Sequence, residues 1–436
     1  MFDKFFNPKS VAVIGASHKK GKIGNILFKN LLNYKGKVYP INIETNDVLG
    51  KKAYKSVLEV KDTIDLAIIA IPKVFVLGAL EECGKKKIKD VIVITSGFGE
   101  VGDKESEQQL KEVAKKYGIR LLGPNVVGVY NAKTMFDATF LPEDAFKKPK
   151  FGKISILSQS GTVTAVLLEK FFNSRLGISK FVSYGNATDI NEVDILNYLE
   201  KDVNTDVICM YLEEIKNGEG FIKYLKTKKK PLIVLKAGIG NRGKEAIVSH
   251  TGSLAGDSKI YEGLFKQFGV IQAEGINDLV NYAKGLLVKP YKEIMILTNG
   301  GGYGILLSDW VEKMNLPFHN LGANEIKALK KKINKVGISY KNPFDILGDS
   351  NIDTYLTALG AMNKDKEKLY IIVFIGQTDS INEKSLDYFI QKIKKLKINC
   401  VFLNTSEEQC NFIEEEGFQC FNTPEELVRG ISVMKK

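Results

Sequence analysis

The sequence predicts an α/β protein: a Rossmann-like domain followed by two further α/β domains built on parallel sheets. Three observations carry that reading. Short apolar runs ending in glycine or small polar residues alternate with helical segments up to Asn125. The same strand–turn–helix pattern restarts at Ile154 and again at Ile294. Such alternation marks strands paired in parallel through crossover helices. The 436 residues suit about three domains at roughly 150 residues each. The expected boundaries are 1–140, 150–288 and 290–436.

The first unit opens with V-A-V-I-G at 11–15, followed by A-S-H-K-K-G-K-I-G and a helical N-I-L-F-K-N-L-L. Strands follow at 37–43, 66–71, 91–95 and 119–125, with helices around 73–87 and 103–117. Each strand ends in a distinctive turn: G-A-S, N-I-E, A-I-P, T-S-G-F-G and G-P-N-V-V-G. In open parallel sheets ligands bind beyond the carboxyl ends of the strands, where helix N-termini offer backbone N–H groups to phosphates. Ser17, Lys20 and Lys22 add donors for the same anion. The G-x₅-G-x₂-G spacing from Gly15 to Gly24 is not the dinucleotide fingerprint, and turns of this kind also serve as plain fold punctuation.

A linker, Pro142 to Pro149, precedes the second unit. There I-S-I-L-S-Q-S-G-T at 154–162 runs into a helix at 163–172, and strands follow at 178–184, 207–212 and 231–236. Glu213 and Glu214 end the strand 207–212; a solvated pair at a strand end reads equally well. The third unit begins I-M-I-L-T-N-G-G-G-Y-G at 294–304, with a helix at 305–314. Strands at 369–375 and 399–404 follow, the first ending in G-Q-T-D-S, and Thr423 caps a helix whose first residue is Pro424.

Composition bounds the function classes. No run of about 18 apolar residues is present to span a bilayer, and the opening M-F-D-K-F-F-N-P-K-S lacks the apolar block of a signal peptide, which predicts a cytoplasmic protein. The five cysteines are scattered without CxxC spacing and read as reduced structural thiols, not a metal site. The net charge of +12 comes from short lysine runs such as Lys85–Lys87 and Lys228–Lys230, without interleaved aromatics. Solvated helix ends explain them better than nucleic-acid binding, while the charge still favours a small anionic ligand.

The stretch A-I-V-S-H-T-G-S-L-A-G at 246–256 holds His250, one of only three histidines. Its scant apolar periodicity and its glycines predict a mobile loop following the strand 231–236. The second unit thus gathers a hydroxyl-rich helix start, a carboxylate pair and a histidine on one rim.

Taken jointly, G-A-S-x₃-G-K-x-G, G-P-N at 123–125, S-x-S-G-T at 158–162, S-H-T-G-S-L-A-G and N-P-x-D at 342–345 are very specific. Over essentially its whole length the chain resembles the α subunit of ADP-forming acetyl-CoA synthetase, within the succinyl-CoA synthetase superfamily. The resemblance implies a Rossmann-like CoA-binding domain and two flavodoxin-like domains of the succinyl-CoA synthetase type. It implies a ligase that turns acyl-CoA, phosphate and ADP into carboxylic acid, CoA and ATP through an acyl phosphate and phospho-His250. It gives Glu213, with Glu214 as alternative, the role of fixing the imidazole tautomer. A phosphate cradle falls at Gln159, Ser160, Gly161 and Thr162. A second falls at Gly376, Gln377 and Thr378, with Gly300–Gly302 the other choice. CoA contacts carry over to Gly15, Ala16, Ser17, Lys22 and Gly24 for the phosphates, and to Asn42 and Ile43 on the adenine side. Ile71 and Pro72 follow the pantetheine, and Ser96, Gly97, Phe98 and Asn125 the thiol end. An ATP-grasp β subunit is implied as partner in an α₂β₂ heterotetramer, holding ADP or ATP with Mg²⁺; nucleic acid and membrane are not.

Two departures stand out. Similar proteins read N-P-K where this chain has Asn42, Ile43 and Glu44, and G-P-N-C where Val126 follows Asn125. Glu44 also carries one alternative, an NAD-dependent oxidoreductase with an acid on the adenine ribose. A non-catalytic CoA-responsive regulatory protein is a third class, opposed by the joint presence of His250, Glu213 and Ser160.

Overall fold

The structure, a computed structural model, describes residues 2–251, 258–362, 367–375 and 381–434; the side chains of 248–251 are outside that description. It divides into two compact units, Met1–Ile276 and Asn277–Lys436.

The first unit opens with β1 (Ser10–Ile14), α1 (Ile23–Leu31), β2 (Lys37–Ile41) and a small hairpin of β3 (Asp47–Val48) and β4 (Lys51–Lys52). Next come β5 (Leu66–Ile69), α2 (Lys73–Lys85), β6 (Asp90–Val93), α3 (Lys104–Tyr117) and β7 (Arg120–Leu122). They form a parallel sheet ordered β2-β1-β5-β6-β7. Every residue of β1, β5 and β6 is buried, as strands covered on both faces require. Helix α3 shows why boundaries fall where they do. Asp103 caps it by accepting from the Ser106 amide at 3.0 Å, Leu110 and Ala114 face the core, and left-handed Gly118 ends it.

The alternation does not announce the next hairpin, β8 (Gly128–Asn131) and β9 (Phe136–Thr139). It joins a second sheet with β10 (Phe151–Ser158), α4 (Gly161–Asn173), β11 (Ile178–Ser183), α5 (Glu192–Lys201), β12 (Val207–Leu212), α6 (Gly218–Thr227) and β13 (Leu232–Lys236). Helices α7 (Asn241–Thr251) and α8 (Ser258–Gln267) and strand β14 (Ile271–Ala273) complete it. The order is β14-β13-β12-β10-β11-β8-β9, with β8 antiparallel to β11. Residues 128–139 therefore belong to the second sheet, ahead of the Pro142–Pro149 stretch. One apolar core runs through both sheets, from Val11 and Leu27 to Val182 and Leu212.

The His250 stretch was expected to be a loop, but its backbone lies on α7, which continues to Thr251. Lys244, Glu245 and Ala246 are good helix formers, and buried Ile247 gives the helix its inward anchor. Residues 252–257 lie outside the described residues. Contrary to expectation, the five cysteines are not all reduced: Cys410 and Cys420 are joined in a disulfide across 5.4 Å between Cα atoms, while Cys83, Cys209 and Cys400 are free and buried.

The second unit holds a sheet of β16 (Phe344–Asp345), β15 (Glu293–Thr298), β17 (Lys368–Phe374), β18 (Cys400–Asn404) and β19 (Cys420–Phe421), all parallel and in that order. Its helices are α9 (Ile276–Gly285), α10 (Gly301–Lys313), α11 (Ala323–Lys332), α12 (Ile352–Met362), α13 (Glu383–Leu396), α14 (Glu407–Glu415) and α15 (Pro424–Ser432). Thr423 caps α15 through the Glu426 amide with Pro424 in its first turn, as predicted. The five-strand parallel order is the same in all three sheets: the first strand has the second on one side and the later ones on the other. Such an order leaves a crevice at the carboxyl edge beside the first strand.

Candidate active site

In the first sheet that crevice is a cavity of about 1000 Å³ at the ends of β1, β2, β5 and β6. Gly15, Ser17, Lys22, Gly24, Asn42, Ile43, Ile71, Pro72, Ser96 and Asn125 all line it. Ala16 and Phe98 do not: both are buried, and Phe98 packs beneath the Lys73 ammonium. Lys19, Lys22 and Lys55 supply positive charge, while Ile43, Val74 and Phe75 leave apolar surface exposed at the mouth. That pairing suits a ligand with phosphates at one end and a flat apolar group at the other.

Several predicted contacts have structural work of their own. A Cβ on Gly24 would lie 1.8 Å from the Gly15 carbonyl oxygen, so α1 can reach the β1 turn only with glycine there. Gly24→Ala is expected to lower unfolding free energy by about 1–3 kcal/mol and to weaken CoA binding, read by urea unfolding and titration calorimetry. The Asn42 side chain donates to the Ala16 carbonyl at 2.7 Å and accepts from the Glu44 and Thr45 amides. It shapes the loop first. Exposed Glu44 pairs with Lys19 at 3.5 Å.

A second cavity, of about 890 Å³, opens at the carboxyl edge of the second sheet. Ser96, Gly97, Asn125, Gln159, Ser160, Gly161, Thr162, Glu213 and Glu214 line it, and it shares Ser96, Asn125 and Gly161 with the first. The two chambers meet where the resemblance puts the thiol end. The junction is built by backbone pairing: the Asn186 amide donates to the Pro124 carbonyl at 3.1 Å and the Thr188 amide to Gly123 at 3.2 Å. Left-handed Gly123 and Gly185 permit that close approach.

Helix α4 points its N-terminus into this chamber, with Ser160 as cap accepting from the Val163 amide at 3.3 Å. Its first-turn N–H groups suit an anion. Gln159 Oε1 accepts from the backbone amides of Glu213 at 2.6 Å and Glu214 at 3.0 Å, so this predicted phosphate contact also fixes the carboxylate turn. Glu213 is buried beside Tyr211, and Glu214 pairs with Lys216. Helix α7, whose last turn carries the backbone of His250, packs against the turn Gly99–Val101 on the chamber wall. The His250 side chain lies outside the described residues.

Sequence reasoning missed an acidic clasp on this wall. Asn186 Nδ2 donates to Glu100 at 2.6 Å and to Glu107 at 2.8 Å, and Glu100 also accepts from the Gly97 and Phe98 amides. Buried Glu192 was missed too. One of its oxygens accepts from the Asn217 amide at 3.0 Å and the other finds no hydrogen-bond partner among the described residues; burial raises its pKa, opposed by backbone hydrogen bonds from Asn217, Glu192 and Lys216. No spacing motif announces a contact between turns so far apart in sequence.

In the second unit, Gly376, Gln377 and Thr378 lie outside the described residues. The competing turn, Gly300–Gly302, starts α10, and a Cβ on Gly301 would lie 2.6 Å from an Asp345 carboxylate oxygen. A carboxylate already faces that helix N-terminus. His319 is held between Glu293 at 2.7 Å and Glu325 at 3.1 Å, a structural contact. Among the described residues no cluster of three or more metal-ligating side chains occurs, and no helix is long and apolar enough to cross a membrane.

The comparisons match this geometry. The profile of the CoA binding domain family fits residues 9–132, and that of the succinyl-CoA ligase like flavodoxin domain fits residues 151–286. Fold and site thus define a protein of the succinyl-CoA ligase class. The α subunit of acetate–CoA ligase [ADP-forming] I from Pyrococcus furiosus is 38% identical over 100% of this chain and 97% of its own. The chain belongs to the family of ADP-forming acetate–CoA ligases, as an α-subunit type. A Methanocaldococcus jannaschii acetate–CoA ligase [ADP-forming] is 44% identical over 79% of this chain and 49% of its own. The dinucleotide-forming acetyl-coenzyme A synthetase 1 of Ca. Korarchaeum cryptofilum, solved with phosphate and ADP, superposes with a TM-score of 0.92. It is 34% identical, covering 100% of this chain and 96% of that one. Neither the nicotinamide reading nor the non-catalytic one gains support.

Proposed function

We propose that this chain converts acyl-CoA and phosphate to carboxylic acid and CoA, conserving the phosphoryl group on His250 for transfer to ADP. The observation that carries this is the pair of chambers meeting at Ser96, Asn125 and Gly161, one shaped for CoA and one for an anion. CoA phosphates lie against Ser17, Lys22 and the start of α1, and its thioester reaches the junction. Phosphate at the N-terminus of α4 attacks the thioester carbonyl, the C–S bond breaks, and CoA leaves as thiolate. A ring nitrogen of His250 then takes the phosphoryl group from the acyl phosphate, releasing carboxylate. Glu213 accepts the hydrogen bond of the other ring nitrogen and stabilises the cation that forms.

ADP, with Mg²⁺, is held by an ATP-grasp β subunit in an α₂β₂ assembly in the cytoplasm, and Gly376–Thr378 serves as the second phosphate cradle. The Asp345 carboxylate beside Gly301 supports that choice over Gly300–Gly302. To test the reading, the purified chain is incubated with acetyl-CoA and ³²P-phosphate. Acid-labile, alkali-stable label on protein is expected, and adding the partner with ADP converts it to labelled ATP. A chain that binds CoA yet never takes label rules the reading out.

A further inference from the structure

Behind the carboxylate turn lies a buried cation. Lys236 ends β13, in register with Leu212 of β12, and is 4% exposed. Its ammonium donates to the Glu213 carbonyl at 2.6 Å and to the Ala237 carbonyl, and sits 4.7 Å from the centre of the Tyr261 ring. Charged groups face it from the elements around it: the Glu213 and Glu214 carboxylates after β12 and Lys244 on α7.

Both direct acceptors are neutral, so the carboxylates act on this charge only through space. Among the described residues this ammonium has no ion-paired partner, a costly state for a buried charge, and an apolar side chain of similar length would hold a strand end more cheaply. Phosphate chemistry gives the charge a use. Phosphate, acyl phosphate and phosphohistidine each bring negative charge beside two carboxylates, and a fixed cation in a dry interior offsets that repulsion strongly.

We propose that Lys236 is a positioning residue for phosphoryl transfer: it fixes the Glu213 backbone and supplies the positive charge that lets a phosphoryl group approach the Glu213–Glu214 pair. The proposal rests on the phosphohistidine reading above. Burial brings the Lys236 pKa down to about 8, with Glu213 and Glu214 opposing and Lys244 adding to the fall. The cation is therefore present at neutral pH and lost above about pH 8. Because the folded pKa is depressed, the protonated form costs stability at neutral pH, and that cost fades as pH rises from about 8 towards the ordinary 10.5.

The test measures the rate of ³²P labelling from acetyl-CoA and phosphate, from about pH 6 to 10, in the full chain and in Lys236→Met and Lys236→Arg, with thermal melts at pH 7. Wild-type labelling is expected to fall about tenfold per pH unit above 8. Lys236→Met is expected to label about 10²-fold more slowly at pH 7 while melting no lower than wild type. Lys236→Arg keeps the label and loses the alkaline fall, since guanidinium stays protonated. Wild-type rates in Lys236→Met, or an alkaline fall that persists in Lys236→Arg, overturn the proposal; if Lys236→Met does not fold, the arginine variant decides. A wild type that takes no label removes the phosphohistidine reading and this proposal together, whereas label indifferent to Lys236 removes only this one.

Discussion

Replacing His250 with alanine is expected to reduce protein-bound ³²P to background and overall ATP formation by roughly 10⁶-fold, the scale seen when a nucleophile is deleted. The two half-reactions should part. In the proposed sequence of steps, attack of phosphate on the thioester precedes phosphoryl transfer and draws on the α4 N-terminus and the CoA chamber, with no chemical role for the imidazole. The variant should therefore still release CoA and form acyl phosphate, which hydroxylamine traps as a hydroxamate. Label that survives in the variant places the phosphoryl group on another residue. Loss of both label and hydroxamate means that His250 acts earlier than proposed, on the thioester itself.

The split between what the sequence revealed and what it concealed has a physical basis. Strand ends and their turns are local: V-A-V-I-G, S-Q-S-G-T and T-N-G-G-G each fix a backbone path within a few residues, and each leads from a strand to the next helix as expected. The chambers follow because parallel sheets put those turns on one edge. Features made by contact between distant segments left no local trace. Asn186 meets Glu100 and Glu107 only after two sheets are docked through Gly123 and Pro124. The hairpin β8–β9 declares its allegiance only by pairing with β11. Cys410 and Cys420 lie ten residues apart without a motif, and a helix and a strand of the second unit bring them together. The His250 stretch was misread for a different reason: its polar residues and glycines outweighed the helix-forming K-E-A-I-V that precedes them.

Glu213→Gln is the second large effect expected, a loss of about 10²–10⁴-fold in labelling rate with little change in CoA affinity. The amide is nearly the same size and can still accept a hydrogen bond, but it carries no charge to stabilise an imidazolium while phosphate transfers. Backbone displacement would not confound the result. The Glu213 amide is held by Gln159 Oε1 and its carbonyl by Lys236, neither of which involves the carboxylate. CoA affinity should hold because Glu213 lines the anion chamber and not the CoA chamber. Glu214→Gln is the matching control. Its carboxylate pairs with partly exposed Lys216, and a pair of this kind is worth about 0–1 kcal/mol, so a change of roughly fivefold or less is expected. Should Glu214→Gln show the larger loss, the two carboxylates exchange roles. Should both variants label at the wild-type rate, the imidazole is oriented by some other group, and the acidic turn serves only to shape the chamber.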